Sequence, residues 1–200
     1  MISFNAGVAE LPLLWHENMH QWWGDNVSES SYEMTFFKEG LAEWMESYVF
    51  PARSLHGEAF ERAMMRRFNR AYASAGDYWT IAPSHPFAYS LFDASSTYER
   101  PAAAYEALRR ILGADAFDAT LQGLQHEHGG GAIGESQLEA AFQEALPDQA
   151  PACHVRLAQF FGEWFDTAYA PGGGAQRPRI TGPGLAGDEF YGAPGGCPAP

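Results

Sequence analysis

Lysine is almost absent from this chain of 200 residues: Lys38 stands alone beside eleven arginines, against 25 aspartates and glutamates. The net charge of -13 argues against nucleic acid and anionic membrane surfaces as partners, because both demand a basic face. Cysteine is scarce too. Cys153 and Cys197 are too few for a metal site, and either form one disulfide in an oxidising compartment or remain two thiols. No run approaches the roughly 18 to 20 apolar residues of a membrane span. The first residues lack a basic start followed by an apolar stretch, so no signal peptide is expected within this chain. The compartment stays open, with a lean to secretion if the complete gene product carries a signal peptide.

What is present is apolar and aromatic. Hydrophobic residues make up 46% of the chain and aromatics 14%, enough for one packed domain or part of a larger one. The spacing of apolar residues is helical from end to end. Leu11, Leu14, Trp15, Met19, Trp22 and Trp23 predict a helix over about 9–23, closed by Gly24-Asp25-Asn26. Met34, Phe37, Leu41, Trp44, Met45 and Tyr48 predict a second, ending at Phe50 because Pro51 pushes the residue before it out of helical geometry. A third, arginine-rich helix is expected over 57–74, its Arg62, Arg66, Arg67 and Arg70 facing water or the acidic surface. Residues 75–96, broken by Gly76, Pro83 and Pro86, read as a cleft-lining loop carrying Tyr78, Trp79, Phe87, Tyr89 and Phe92. Helices resume over about 98–112, 114–125, 135–146 and 154–168, and no strand is evident. Residues 171–200, with Gly172-Gly173-Gly174 and Gly195-Gly196, read as an extended or disordered Gly/Pro-rich tail on which Phe190 and Tyr191 can dock. Residues 1–170 are left to form the helical domain.

One stretch carries chemistry. In His16-Glu17-Asn18-Met19-His20 two histidines four apart share a helix face and aim at one point, with Glu17 beside them. A catalytic zinc takes three protein ligands and keeps one position open, and Glu39, nineteen residues beyond His20, is the candidate third ligand. In a chain of this composition that pattern arises by chance about once in six hundred sequences. Glu43, one turn after Glu39, is placed to hold a histidine ring by its other nitrogen, or else is a solvated carboxylate. His126 and His128 in a Gly-rich acidic stretch are expected to be solvent-exposed, His85 to line the cleft, and His56 and His154 to be structural.

With these residues in hand, the chain resembles the gluzincin zinc aminopeptidases of the aminopeptidase N and leukotriene hydrolase type. His16-Glu17-Asn18-Met19-His20-Gln21-Trp22-Trp23-Gly24-Asp25-Asn26-Val27 is similar to that family's HExxHxWxGDxV. Lys38-Glu39-Gly40-Leu41-Ala42-Glu43 resembles its helix with the third ligand. Ser84-His85-Pro86 resembles its SHP stretch and Tyr98-Glu99-Arg100-Pro101-Ala102 its YEKGA helix start, with Arg100 and Pro101 where Lys and Gly are usual. The likeness covers about residues 8–170. The family's sheet and its amine-gripping GxMEN motif lie upstream of the HExxH helix, where only fifteen residues stand here. The resemblance therefore implies a mainly α fold, the helical half of a thermolysin-like catalytic domain with little or no β-sheet, as a fragment of the catalytic domain.

It also implies one zinc per chain on His16, His20 and Glu39, Glu17 as general base, Tyr98 as hydrogen-bond donor to the oxyanion, and a peptide as substrate. The expected activity is metalloaminopeptidase hydrolysis, with turnover by this chain alone weak or absent. Two rivals stand beside it. One is a non-catalytic zinc-binding remnant or helical interaction domain, which would have no need of a base or an oxyanion donor. The other is a zinc endopeptidase, disfavoured by the WxGD and YExxA matches.

Overall fold

The computed structural model describes residues 10–146, 150–171, 176–192 and 197–198; the glycine runs Gly172-Gly173-Gly174 and Gly195-Gly196 lie outside the described residues. Helices dominate. The first, α1 (Leu11–Met19), has Pro12 in its first turn, where the missing N–H is one the helix would leave unpaired anyway. It ends four residues earlier than periodicity predicts. Backbone bonds tighten to Gln21 N–Asn18 O and Trp22 N–Met19 O, and Gly24 at φ 127° turns the chain into β1 (Val27–Glu29).

The second helix, α2 (Thr35–Trp44), does not stop at Phe50. It widens into a π-turn over Met45–Val49 and closes with a single turn, α3 (Phe50–Ala52). Phe50 stays helical, and Pro51 is accommodated because it opens a new turn that does not require its N–H. α4 (Glu58–Tyr72) follows. The stretch expected as one loop is divided instead. Tyr78 and Trp79 are buried in a 3-10 turn, while Phe87, Tyr89 and Phe92 are exposed. A π-turn over Ala94–Glu99, capped by Asp93 at the N–H groups of Ser95 and Ser96, leads into α5 (Arg100–Leu112). α6 (Ala114–His128), β2 (Gly131–Ile133), α7 (Glu135–Glu144) and α8 (Pro151–Phe161) complete the order, with a third π-turn over Gly162–Asp166.

The two strands pair in parallel, Val27 opposite Gly131 through Glu29 opposite Ile133. With three residues each and mixed composition, neither carries a period-2 signal long enough to read.

α5 is the hub. Alanines 102, 103, 104 and 107, with Tyr105 and Leu108, are all fully buried, and their small side chains let α2 approach closely. At Gly40 an added Cβ would lie 2.4 Å from Pro101 Cβ, so the glycine of α2 and the proline of α5 fit each other. Arg100, fully buried, spends its guanidinium on backbone carbonyls: Ile81 at 3.0 Å, Glu163 at 3.0 Å and Thr167 at 2.7 Å. It thereby ties the turn before Ser84 to the end of α8, beneath the π-turn that carries Tyr98.

The described tail has no helix, yet it packs. Ile180, Leu185 and Phe190 are buried, Trp164 Nε1 donates to the Ile180 carbonyl at 2.8 Å, and Tyr191 Oη donates to the Ile111 carbonyl at 2.6 Å. Cys153 of α8 and Cys197 form a disulfide.

Candidate metal centre

α1 places the imidazoles of His16 and His20 one turn apart, and α2 brings Glu39 against both. His16 Nε2 and His20 Nε2 each lie 3.3 Å from Glu39 Oε2. That is longer than the 2.7–2.9 Å typical of a charge-assisted hydrogen bond. It equals the edge of a zinc tetrahedron, since two atoms about 2.0–2.1 Å from one ion at the tetrahedral angle are about 3.3 Å apart. His16 and Glu39 are 6% and 7% exposed, so two nitrogens and a carboxylate oxygen converge with little water to satisfy them. This donor set and spacing fit zinc.

The far side of each ring decides which nitrogen faces the cradle. His20 Nδ1 lies 3.0 Å from the Trp23 carbonyl, which can only accept, so the hydrogen is assigned to Nδ1 and the Nε2 lone pair points to the cradle. His16 Nδ1 lies 3.1 Å from Glu46 Oε2. The contact is close enough for an ion pair but off the line of a hydrogen bond, leaving this buried nitrogen without a well-aligned partner.

Glu43 does not take the place expected for it. Its carboxylate accepts from Ser47 Oγ and faces Arg67 at 3.8 Å, lying within 4.8 Å of His16 without bonding to it. The i+4 spacing from Glu39 keeps Glu43 on the same side of the helix, but its carboxylate turns to Ser47 and Arg67 instead of the imidazole. The spacing of seven, two full turns, returns Glu46 to the histidine side. That i+7 carboxylate is the signal by which the sequence could have revealed Glu46.

Electrostatics follow from these neighbours. Burial pulls the His16 pKa down, but the hydrogen bond with Glu39 and the nearby carboxylates of Glu39 and Glu46 outweigh it and push it up to about 9. Burial alone would raise Glu39, yet His16 and His20 hold it down to about 2. For His20 the pull of Glu39 likewise exceeds the effect of burial, and its pKa is raised. The three groups thus form a mutually stabilised charge cluster. Tyr98 sits in the π-turn before α5, its ring centroid 6.0 Å from that of His16. Partial burial, with the charges of Glu39, Glu17 and Glu43, pushes its hydroxyl up to about 12. Glu17 is half-exposed on α1. His85 is exposed, and His126 and His128 join no ligand grouping among the described residues.

Residues 8–164 match the profile of the Peptidase family M1 domain. The chain belongs to this family. Over 160 residues it is 28% identical to aminopeptidase N of Caulobacter vibrioides, an alignment covering 78% of this chain and 17% of that protein. Over 161 residues it is 24% identical to the thyrotropin-releasing hormone-degrading ectoenzymes of Mus musculus and Homo sapiens, covering 74% of this chain and 14% of each. The crystal structure of a mutant M1 zinc metallopeptidase from Deinococcus radiodurans, bound to a Tyr-Ser-Ala substrate, superposes with a TM-score of 0.63. Identity there is 23%, over 81% of this chain and 34% of that one; the likeness is one of fold. This M1 chain therefore spans between 14% and 17% of these curated relatives and about a third of the solved structure. Among the described residues no helix is long and apolar enough to cross a membrane.

Proposed function

We propose that this M1-family chain is the zinc-holding helical part of a metallopeptidase catalytic domain, spanning residues 1–170, which hydrolyses peptide bonds and releases N-terminal residues. The observation that carries this reading is the convergence of His16 Nε2, His20 Nε2 and Glu39 Oε2 at tetrahedral-edge spacing, with Tyr98 beside the same rings. When bound, zinc supplies the Lewis acidity that polarises a scissile carbonyl and makes a water acidic enough to attack near neutral pH. Everything else is done by the chain. Glu17, next to His16 but outside the three-ligand cradle, takes a proton from the attacking water on its carboxylate and passes it to the departing amine. Tyr98 keeps its proton at neutral pH because its pKa is pushed up to about 12, so its Oη stays a donor to the oxyanion, a contact typically worth about 3 kcal/mol. The Trp23 carbonyl and the Glu46 carboxylate hold the two rings in register.

The restriction to N-terminal residues rests on the family likeness and not on a group in this site. The disulfide between Cys153 and Cys197 supports an oxidising compartment. The experiment is zinc-dependent turnover of aminoacyl chromogenic substrates by the full chain beside Glu17→Gln. Turnover lost in Glu17→Gln supports catalysis. Zinc binding without any turnover of free or N-terminally blocked peptides would leave a non-catalytic zinc domain, and cleavage of blocked peptides alone would make it an endopeptidase.

A further inference from the structure

A second feature lies on the other side of Glu46. Arg66, Arg67 and Arg70 of α4 form one wall of a groove of about 490 Å³; the opposite wall is the π-turn after α2 together with Pro51 and Leu55. Three of the chain's 12 basic residues thus gather in one concavity of a protein whose net charge is -13. Like charges at i, i+4 repel, and four of the eight arginines elsewhere in the molecule are matched by carboxylates. Arg109 and Arg110 share Glu61 and Glu106, Arg62 pairs with Glu58, and Arg179 pairs with Glu189.

In the groove the matching fails. Among the described residues Arg66 and Arg70 have no carboxylate partner, and Arg67 reaches only Glu43, at 3.8 Å. The acidic residue in the lining is Glu46, and its carboxylate is spent on His16 Nδ1 at 3.1 Å. Its charge repels an anion at that end, which confines the attractive part of the groove to the Arg66 and Arg70 side. Arg67 lies over the Tyr48 ring, 5.5 Å from its centroid, and Tyr48 lines the same wall. Between the charges the surface is apolar.

A concavity of this size is in the range of small-molecule sites, which combine an apolar lining with a few convergent polar groups. Guanidinium forks pair two-pronged with carboxylate and phosphate oxygens. We propose that this groove binds an oxyanion carried on an apolar body, through Arg66, Arg67 and Arg70. The site is separate from the metal cradle and does not depend on the peptidase reading.

Phenyl phosphate is the probe, titrated calorimetrically into the full chain, with inorganic phosphate and phenol as the two half-ligands. Saturable binding of phenyl phosphate is expected, weaker for phosphate, absent for phenol, and falling as salt screens the arginines. Arg66→Gln with Arg70→Gln should weaken it at least tenfold. Both side chains are exposed, and an unchanged thermal melt shows that the double variant is folded. In His20→Ala, where the cradle is broken, binding should persist. No saturable binding by the native chain, equal binding by the double variant, or loss in His20→Ala, which would place the anion at the cradle, would each overturn the proposal.

Discussion

In the proposed zinc site Glu46 and His20 divide two roles, holding a ligand's orientation and being a ligand. Removing the second should be absolute. His20→Ala takes one corner from the tetrahedral cradle, and metal analysis of purified protein is expected to fall from about one zinc per chain to none; full occupancy in that variant would sink the ligand assignment. Removing the first should be graded. Glu46→Gln keeps shape and size but cancels the charge 3.1 Å from His16 Nδ1, and zinc affinity measured by chelator competition should drop about 10- to 100-fold. Glu43→Gln serves as the comparison, because its carboxylate is taken up by Ser47 and Arg67 and its loss should leave zinc affinity nearly unchanged. Equal losses in the two variants would remove Glu46 from its role. At this scale the candidate ligands are legible because i, i+4 histidines and a distal glutamate are a sequence pattern. The choice between Glu43 and Glu46 is not, since it depends on which carboxylate the local helix turns toward a ring.

Helix widening does at the level of elements what spacing cannot show. Glu46 and Tyr98 both lie in π-turns, Met45–Val49 and Ala94–Glu99, and such turns recur at functional sites because one extra residue re-aims the side chains around it. Apolar periodicity marks the helix on either side of a π-turn but is nearly blind to the inserted residue. The predicted boundaries consequently ran through α2 and began α5 at 98. The packing of α2 on α5 gives a direct test. Gly40→Ala would put a Cβ 2.4 Å from Pro101 Cβ, an overpacking expected to cost about 1–3 kcal/mol in chemical denaturation. It should also weaken zinc binding, because Glu39 would move with the helix. A fully stable variant would mean that the two helices are not in contact as described.

A second junction, between the start of α7 and the π-turn after α8, is expected to respond to pH. Burial and the nearby Asp166 raise the Glu135 carboxyl to about 7, and Ser84 Oγ donates to Asp166 Oδ1 at 2.7 Å. The folded state thus holds the Glu135 proton more tightly than the unfolded chain does. The stability this contributes is fully present below the ordinary value of 4.5 and is lost as pH rises through about 7. Glu135→Gln should therefore melt above the native chain at pH 8 and close to it at pH 4.5; the same difference at both pH values would refute the raised Glu135 carboxyl.

On the scale of the whole molecule, composition announced a helical core correctly but said little of what a stretch rich in Gly and Pro does once helices are available to receive it. Residues 176–192 have no periodicity of their own, because they add buried side chains singly: Ile180 beside Trp164, Leu185, and Phe190 fully enclosed. Glu163 fixes the path by accepting from the N–H groups of Arg179 and Ile180 at 2.7 and 3.1 Å. Such a segment is held by scattered contacts with distant elements, which sequence patterns cannot express. The disulfide then closes a loop across a separation of 44 residues between Cys153 and Cys197. Loop-closure entropy for that length amounts to about 4 kcal/mol, as a ceiling. Cys153→Ser with Cys197→Ser should lower the unfolding free energy by about 2–4 kcal/mol. Limited proteolysis should then cut first within 176–192, which has no helix to hold its backbone, while α1, α2 and the zinc content stay as in the native chain. Early cleavage in α5 instead would show that the disulfide-anchored tail holds the hub together, and that the metal cradle depends on the tail for its stability.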